Sequence, residues 1–243
     1  MMDKILLIIG ASSDIGISLI NSLEEEYLVL AHHRNSSTEL MNKIENRRSK
    51  IIPIKANLQN IIEVQEMIAF IKENYGIPNY IVHLASEKFD NIRFKELTWE
   101  RLQNEINVGL RSAFIVASSF LPLIKKEDQA KVIFMLSSAT INTPPKALAH
   151  YTINKYALLG MMKSLASEFD NKNIQINAIS PSMVDTKFLD NINKKIIELN
   201  QYNHPLKRIA NKQDIVPLIL FLLSDNSSYI SGINIPVTGG SIF

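Results

Sequence analysis

Short apolar runs punctuate the chain, and between them apolar residues fall at helical spacing. The first run, Ile5 to Ile9, is continuous and stops at Gly10. An uninterrupted run of this kind reads as a strand covered on both faces, as in a parallel sheet. Further runs follow at Tyr27 to Ala31, Ile51 to Ile54, Asn79 to Leu84, Lys131 to Leu136, Ile174 to Ile179 and Ile233 to Val237. Pro236 marks the last as an edge strand, because proline cannot donate to a ladder. Ile15, Leu19, Ile20 and Leu23 predict a first helix. Ile61, Val64, Ile68 and Ile71 predict another over 61–75, stopped by Gly76 and Pro78. A long helix is expected over 97–126 with Asn107 in its middle, where the side-chain amide competes for backbone hydrogen bonds. Leu158, Leu159, Met162, Leu165, Ala166 and Phe169 line one side of a helix that also carries Tyr151 and Lys155, and 214–223 forms the last. This alternation predicts an α/β fold, a doubly wound parallel sheet of about seven strands with helices on both faces. Segment 183–206 is polar, rich in Lys and Asn, and only partly helical in pattern. It follows a strand's carboxyl end, which makes it the expected lid over a site. No repeat, low-complexity tract or linker interrupts the chain, so residues 1–243 are expected to form a single domain.

Composition narrows the partners. The chain has 243 residues, 21% charged and 46% hydrophobic, with a net charge of +2. That is a soluble globular balance and gives no reason to invoke nucleic acid or anionic lipid. The absence of cysteine excludes disulfides and thiolate metal sites. The opening apolar run of five residues is too short for a signal-peptide core, and the run Leu218 to Leu223 is far short of a membrane span. A cytoplasmic protein is expected.

Candidate chemistry gathers at the carboxyl ends of the predicted strands. Gly10 to Gly16 joins a strand to a helix N-terminus, where backbone N–H groups and the helix dipole favour a phosphate. Gly10 permits the tight turn, Gly16 close backbone approach, and Ser12 and Ser13 add hydroxyls. Asp14 either caps the helix or sets a negative charge near the phosphates. The second strand ends in His32, His33 and Arg34 with no acid, which favours a cofactor carrying a 2′-phosphate. The histidines have no companions at metal-ligand spacing, so no metal is expected. Tyr151 and Lys155 lie four apart on one helix face. An ammonium at about 4 Å favours the phenolate by roughly 4 kcal/mol at an effective dielectric of 20, about 3 pKa units before desolvation of the lysine. That brings a tyrosine into range as a proton donor or acceptor. Ser138, delivered from the fifth strand, is placed to hold a substrate oxygen. Each feature also has an ordinary reading: a helix surface pair, a strand-to-helix loop, a solvated basic loop.

Taken together, Gly10 to Gly16, Asn107, Ser138, Tyr151, Lys155, Asn177 to Pro181 and Val237 to Gly240 occur in the order seen in short-chain dehydrogenases and reductases, and the chain resembles that family over essentially its whole length. The tail from Pro205 to Gly232 looks most like the β-ketoacyl-acyl-carrier-protein reductase branch. The resemblance implies a Rossmann-type fold and NAD(P)H-dependent interconversion of a ketone and a secondary alcohol, with 3-oxoacyl thioesters among the candidate substrates. It implies Tyr151 as general acid/base and Lys155 lowering its pKa and binding the nicotinamide ribose. Ser138 would orient the carbonyl and Asn107 hold a relay water behind Lys155. Gly10, Ser13, Ile15 and Gly16 would line the cofactor phosphates, Asn57 and Leu58 the adenine, Ala85 the ribose, and Pro181, Val184 and Thr186 the nicotinamide. NADP(H) is the expected cofactor, with NAD(H) open, and a homotetramer paired through the apolar face of Phe114 to Leu123 is expected. The chain departs from the family at Asp14 (a glycine there), at His83 to Ser86 (Asn-Asn-Ala-Gly), at Asn57 (an acid) and at Ser182 (a glycine), all on the cofactor side. Two other readings stand beside the reductase: a catalytically degenerate dinucleotide-binding protein with a structural or regulatory role, and an epimerase or dehydratase. The last usually needs a further C-terminal substrate domain.

Overall fold

A computed structural model of the chain describes residues 4–46 and 48–242. The two ends of the expected 1–243 domain, with residue 47, lie outside the described residues. Strand β1 (Ile5–Ile9) leads through a turn into helix α1 (Asp14–Asn21), and β2 (Leu28–His33) follows. A short helix α2 (Ser37–Met41), strand β3 (Lys50–Lys55), helix α3 (Ile61–Tyr75) and strand β4 (Tyr80–His83) complete the first half. The second half runs α4 (Trp99–Ile106), α5 (Ser112–Phe120), β5 (Ala130–Met135), α6 (Ala149–Glu168), β6 (Ile174–Pro181), α7 (Lys194–Asn203), α8 (Lys212–Leu223) and β7 (Asn234–Val237). All seven strands pair in parallel in the order β3-β2-β1-β4-β5-β6-β7. This is the doubly wound sheet expected, with β7 and its Pro236 at the edge.

The continuous apolar run of β1 has a direct explanation. Leu7 and Ile9 enter a core with residues of α3, α5 and α6, while Leu6 and Ile8 enter a second core with residues of α1 and α8. Successive side chains of a strand point to opposite faces, so both faces must be apolar. All four are fully buried, and each such side chain contributes about 2 kcal/mol from burial. An aspartate at Leu7 would place an unpaired charge in that core.

Trp99 to Leu123 forms one helical stretch of 25 residues, long and apolar enough by composition to cross a membrane. Its inner face, Ala113, Val116, Ala117 and Phe120, packs into the core. The stretch changes pitch at a π turn over Asn107–Arg111, beginning at the asparagine that stood out in the sequence. Its far end is closed by Lys172, whose Nζ donates to the carbonyls of Pro122 at 2.9 Å and Ile124 at 2.7 Å. A cation there meets the negative end of the helix dipole.

Segment 183–206 contains a 3-10 turn (Lys187–Leu189) and α7. Its Leu189 and Ile192 form a small apolar cluster with Ile209, joined by Met183, Phe188 and Ile197 of the segment and by Phe89 from the loop after β4.

Candidate active site

At the mouth of β1 the turn is held from three sides. Gly10 has φ +86°, and a Cβ there would stand 3.0 Å from the Ala85 nitrogen. Both facts demand glycine. The Gly10 N–H donates to His32 Nδ1 at 3.0 Å, and His32 Nε2 lies 3.0 Å from the Ala56 carbonyl. Burial pushes the His32 pKa down to about 4, so the ring is neutral and Nε2 carries the proton it donates to Ala56. One imidazole therefore ties the turn to β2 and to the end of β3. A Cβ on Gly16 would fall 2.6 Å from the Ala11 carbonyl oxygen. Gly16 thus lets α1 close on its own turn. Ser13 is the N-cap, its hydroxyl accepting the Gly16 N–H at 3.1 Å. Asp14 does not cap the helix. Its carboxylate accepts the Lys187 N–H at 2.7 Å, joining α1 to the 183–206 segment.

A cavity of about 850 Å³ opens beside this turn. Gly10, Ser12, Ser13, Asp14 and Ile15 line one part of it, as do His33 and Arg34 from the end of β2, Asn57 and Leu58 after β3, and Ala85 after β4. His33 is 3% exposed and its Nδ1 has no partner among the described residues. Burial, helped by Lys55, lowers its pKa. Leu58 is fixed by Arg111, whose Nη2 donates to the carbonyls of Leu58 at 3.0 Å and Gln59 at 2.8 Å. Pro181, Val184 and Thr186 line the same cavity.

Ser138, Tyr151 and Lys155 border the cavity too. Ser137 caps the 3-10 turn Ser138–Thr140 that follows β5, which carries Ser138 past the sheet edge. Tyr151 and Lys155 rise from the first turns of α6, with Lys155 Nζ 5.4 Å from the Tyr151 ring centroid. Lys155 Nζ donates to the Met135 carbonyl at 2.8 Å. The sequence suggested that the lysine would lower the tyrosine's pKa. Here burial outweighs it: Tyr151 is pushed up to about 12, opposed by a hydrogen bond with Ser137, and Lys155 is pushed down to about 8. A simple pair estimate leaves out two things: both groups are desolvated, and a buried acid, Glu105, raises both values. Glu105 is 1% exposed and accepts from Arg101 Nη1 and Ser86 Oγ, each at 3.2 Å.

Between the two reactive residues stands Asn154, fully buried. Its Oδ1 accepts the Leu110 N–H at 3.1 Å and its Nδ2 lies 3.5 Å from Glu105 Oε1. The π turn releases an N–H from the helical ladder, and Asn154 satisfies it. Gly109 makes room: a Cβ there would lie 2.1 Å from Asn154 Nδ2. The reactive helix is thereby clipped to the π turn.

Of the residues singled out in the sequence, Asn107 and Gly16 do not border the cavity. Asn107 begins the π turn behind it, and Gly16 supports the turn from within. Several lining residues gave no sequence signal strong enough to name them, among them Phe89, Ser137, Met183 and Phe188. Ser137 stands beside Ser138, and Phe188 is one of two aromatics, with Tyr202, in a segment rich in Lys and Asn. Phe89 follows β4 by six residues, and nothing local marks it.

Strand order, a glycine turn at the crossover beside β1, and a Tyr-Lys pair in the same cavity define a class, and the family comparison agrees: the chain belongs to the short-chain dehydrogenases and reductases. A family model described as enoyl-(acyl carrier protein) reductase matches residues 10–241. Among curated relatives, the 3-oxoacyl-[acyl-carrier-protein] reductase FabG of Thermotoga maritima is 28% identical over 244 residues, covering 98% of each chain. The FabG protein of Staphylococcus aureus is 29% identical over 245 residues, again covering 98% of each. A short-chain dehydrogenase/reductase from Serratia marcescens superposes with a TM-score of 0.88 at 21% identity, over 98% of this chain and 97% of that one. The chain is thus an oxidoreductase of this family, which uses a nicotinamide dinucleotide. The residues present fit such a group: the tight turn at Gly10, with the Ser12 and Ser13 segment, opens on the cavity, and at the end of β2 a buried imidazole nitrogen has no partner among the described residues.

Proposed function

We propose that the chain is an NADP(H)-dependent reductase that interconverts a ketone and a secondary alcohol, with Tyr151 as general acid in reduction and base in the reverse. The observation that carries this reading is the meeting of Tyr151, Lys155 and the Ser138 segment in the cavity that also opens on the glycine turn. When bound, the cofactor supplies the hydride. Tyr151, neutral at physiological pH by its raised pKa, donates the proton to the carbonyl oxygen. Ser138 holds that oxygen, with Ser137 at hand. Lys155 stands over the phenol as the counter-charge and takes the nicotinamide ribose. Asn107, behind the cavity, holds the relay water that the family likeness implies. Gly10, Ser12, Ser13, Ile15 and Gly16 form the pyrophosphate turn, and Asp14 serves the lid contact. His33 and Arg34 take the 2′-phosphate, Asn57 and Leu58 the adenine, Ala85 the ribose, and Pro181, Val184 and Thr186 the nicotinamide. In this reading the chain works as one domain with residues 183–206 as lid, in a cytoplasmic homotetramer. The FabG relatives make a carrier-bound 3-oxoacyl group one candidate substrate.

Replacing Tyr151 by Phe tests it. Turnover should fall by about a thousandfold or more while NADPH still raises the melting temperature. A ligand at 100 times its Kd stabilises by about 2.7 kcal/mol, roughly 5–10 °C for a chain of this size. Normal turnover by the phenylalanine variant removes Tyr151 from the mechanism. An equal shift with NADH removes the 2′-phosphate assignment. No shift with either nucleotide overturns the reading.

A further inference from the structure

We propose that Phe89 and Phe188, with the ring of Tyr151, form an aromatic wall that selects a ketone carrying an aryl group on its carbonyl carbon. The inference rests on the reductase reading above and names its substrate class. The three rings come from three separate segments: the loop after β4, the lid turn and α6. Phe89 meets Tyr151 edge to face with centroids 5.4 Å apart, Phe188 meets Phe89 at 5.3 Å, and Phe188 lies 6.2 Å from Tyr151. All three line the cavity, and Leu148, Met183 and Leu189 line it with them.

The wall is held in place before any substrate arrives. Next to Phe89, Asp90 is gripped by Arg101 at 2.8 Å and 3.1 Å and by His150 Nε2 at 2.9 Å. Two residues further, the Ile92 N–H donates to the Ala147 carbonyl at 2.9 Å. Beside Phe188, the Lys187 N–H is bound by Asp14. Fixed rings lose little freedom when a ligand docks on them.

Such a surface discriminates on chemistry. Hydroxyls of a sugar or polyol laid against it would lose water without finding partners. An aryl group extends the edge-to-face cluster already present. In an aryl ketone the carbonyl is conjugated with the ring, so seating the ring also aims the carbonyl at the Tyr151 and Ser138 hydroxyls. A flexible alkyl ketone has no such coupling. The two phenylalanines also join the lid's apolar cluster, so the test must separate selection from lid packing.

The experiment compares kcat/KM, with NADPH, for ethyl benzoylacetate and ethyl acetoacetate in the wild type and in Phe89→Leu and Phe188→Leu. The esters differ only in phenyl against methyl on the ketone carbon, and leucine keeps apolar bulk in the lid. The wild type should favour the benzoyl ester by about tenfold, the equivalent of about 1.4 kcal/mol. Each leucine variant should lower that ratio by about threefold to tenfold, the scale of one aromatic pair. A preference for ethyl acetoacetate, or a ratio unchanged in both variants because both rates fall together, overturns the inference and leaves the reductase intact. Turnover of neither ester by protein that binds NADPH overturns both.

Discussion

At the scale of single residues, two buried histidines shape the response to acid. His83 in β4 is 2% exposed, with Nε2 2.8 Å from the Ser112 hydroxyl. Burial, with Lys155 and His32 nearby, pushes its pKa down to about 3. His32, pinned between Gly10 and Ala56, is pushed down to about 4 by burial. The unfolded chain protonates both near 6.5. Their folded values are depressed, so below 6.5 the unfolded state binds protons that the folded state does not. Stability is full above that pH and falls as the pH drops toward the folded values. Urea unfolding should show a loss of about 2 kcal/mol per histidine between pH 7 and pH 5. His83→Gln should remove its own share, about 2 kcal/mol, of that loss. An unaltered slope in the variant would show that His83 is not one of the groups responsible.

At the scale of elements, the π turn and the reactive helix are a matched pair. Gly109→Ala drives a methyl into Asn154, which is fully buried and cannot swing to solvent. The cost should be about 1–3 kcal/mol, a drop of roughly 2–12 °C in melting temperature. Adding Asn154→Ala to Gly109→Ala should recover part of it, a coupling that a double-mutant cycle on thermal unfolding reads directly. Strictly additive losses would mean the two residues do not meet. This pair also shows where the sequence stops being legible. The interior strands β1, β2, β4, β5 and β6 are legible because they are buried on both faces and carry apolar runs, whereas β3 and β7, at the edges, are only partly buried. Asn107 looked odd in its helix, but the π turn depends on an acceptor 44 residues away at Asn154, which no local pattern encodes. The Tyr151 and Lys155 positions follow from helix periodicity alone. Their protonation does not, because it answers to burial and to Glu105, which reaches the site from α4. Asp14 was conspicuous as an acid in a glycine turn, yet its partner Lys187 lies on a different element. Phe89 and Phe188 are ordinary residues until the loop and the lid bring their rings together.

At the scale of the whole molecule, the proposed tetramer has a candidate face. Phe114 on α5 is 58% exposed, and Ile153 and Tyr156 on α6 are exposed as well. Phe114→Glu should move the sedimentation profile from tetramer toward smaller species, since a charge in an apolar contact goes unpaired. A tetramer that persists unchanged would place the contact elsewhere. The strand order has a consequence in time as well as space. β1 lies inside the sheet, and its Leu6 pairs on one side with Val29 of β2 and on the other with Tyr80 of β4. Synthesis runs at about 5–20 residues per second. Strand β1 therefore waits several seconds with one edge of backbone N–H and C=O groups unpaired before β4 exists, and the yield of native protein will depend on what keeps that edge from pairing with another chain.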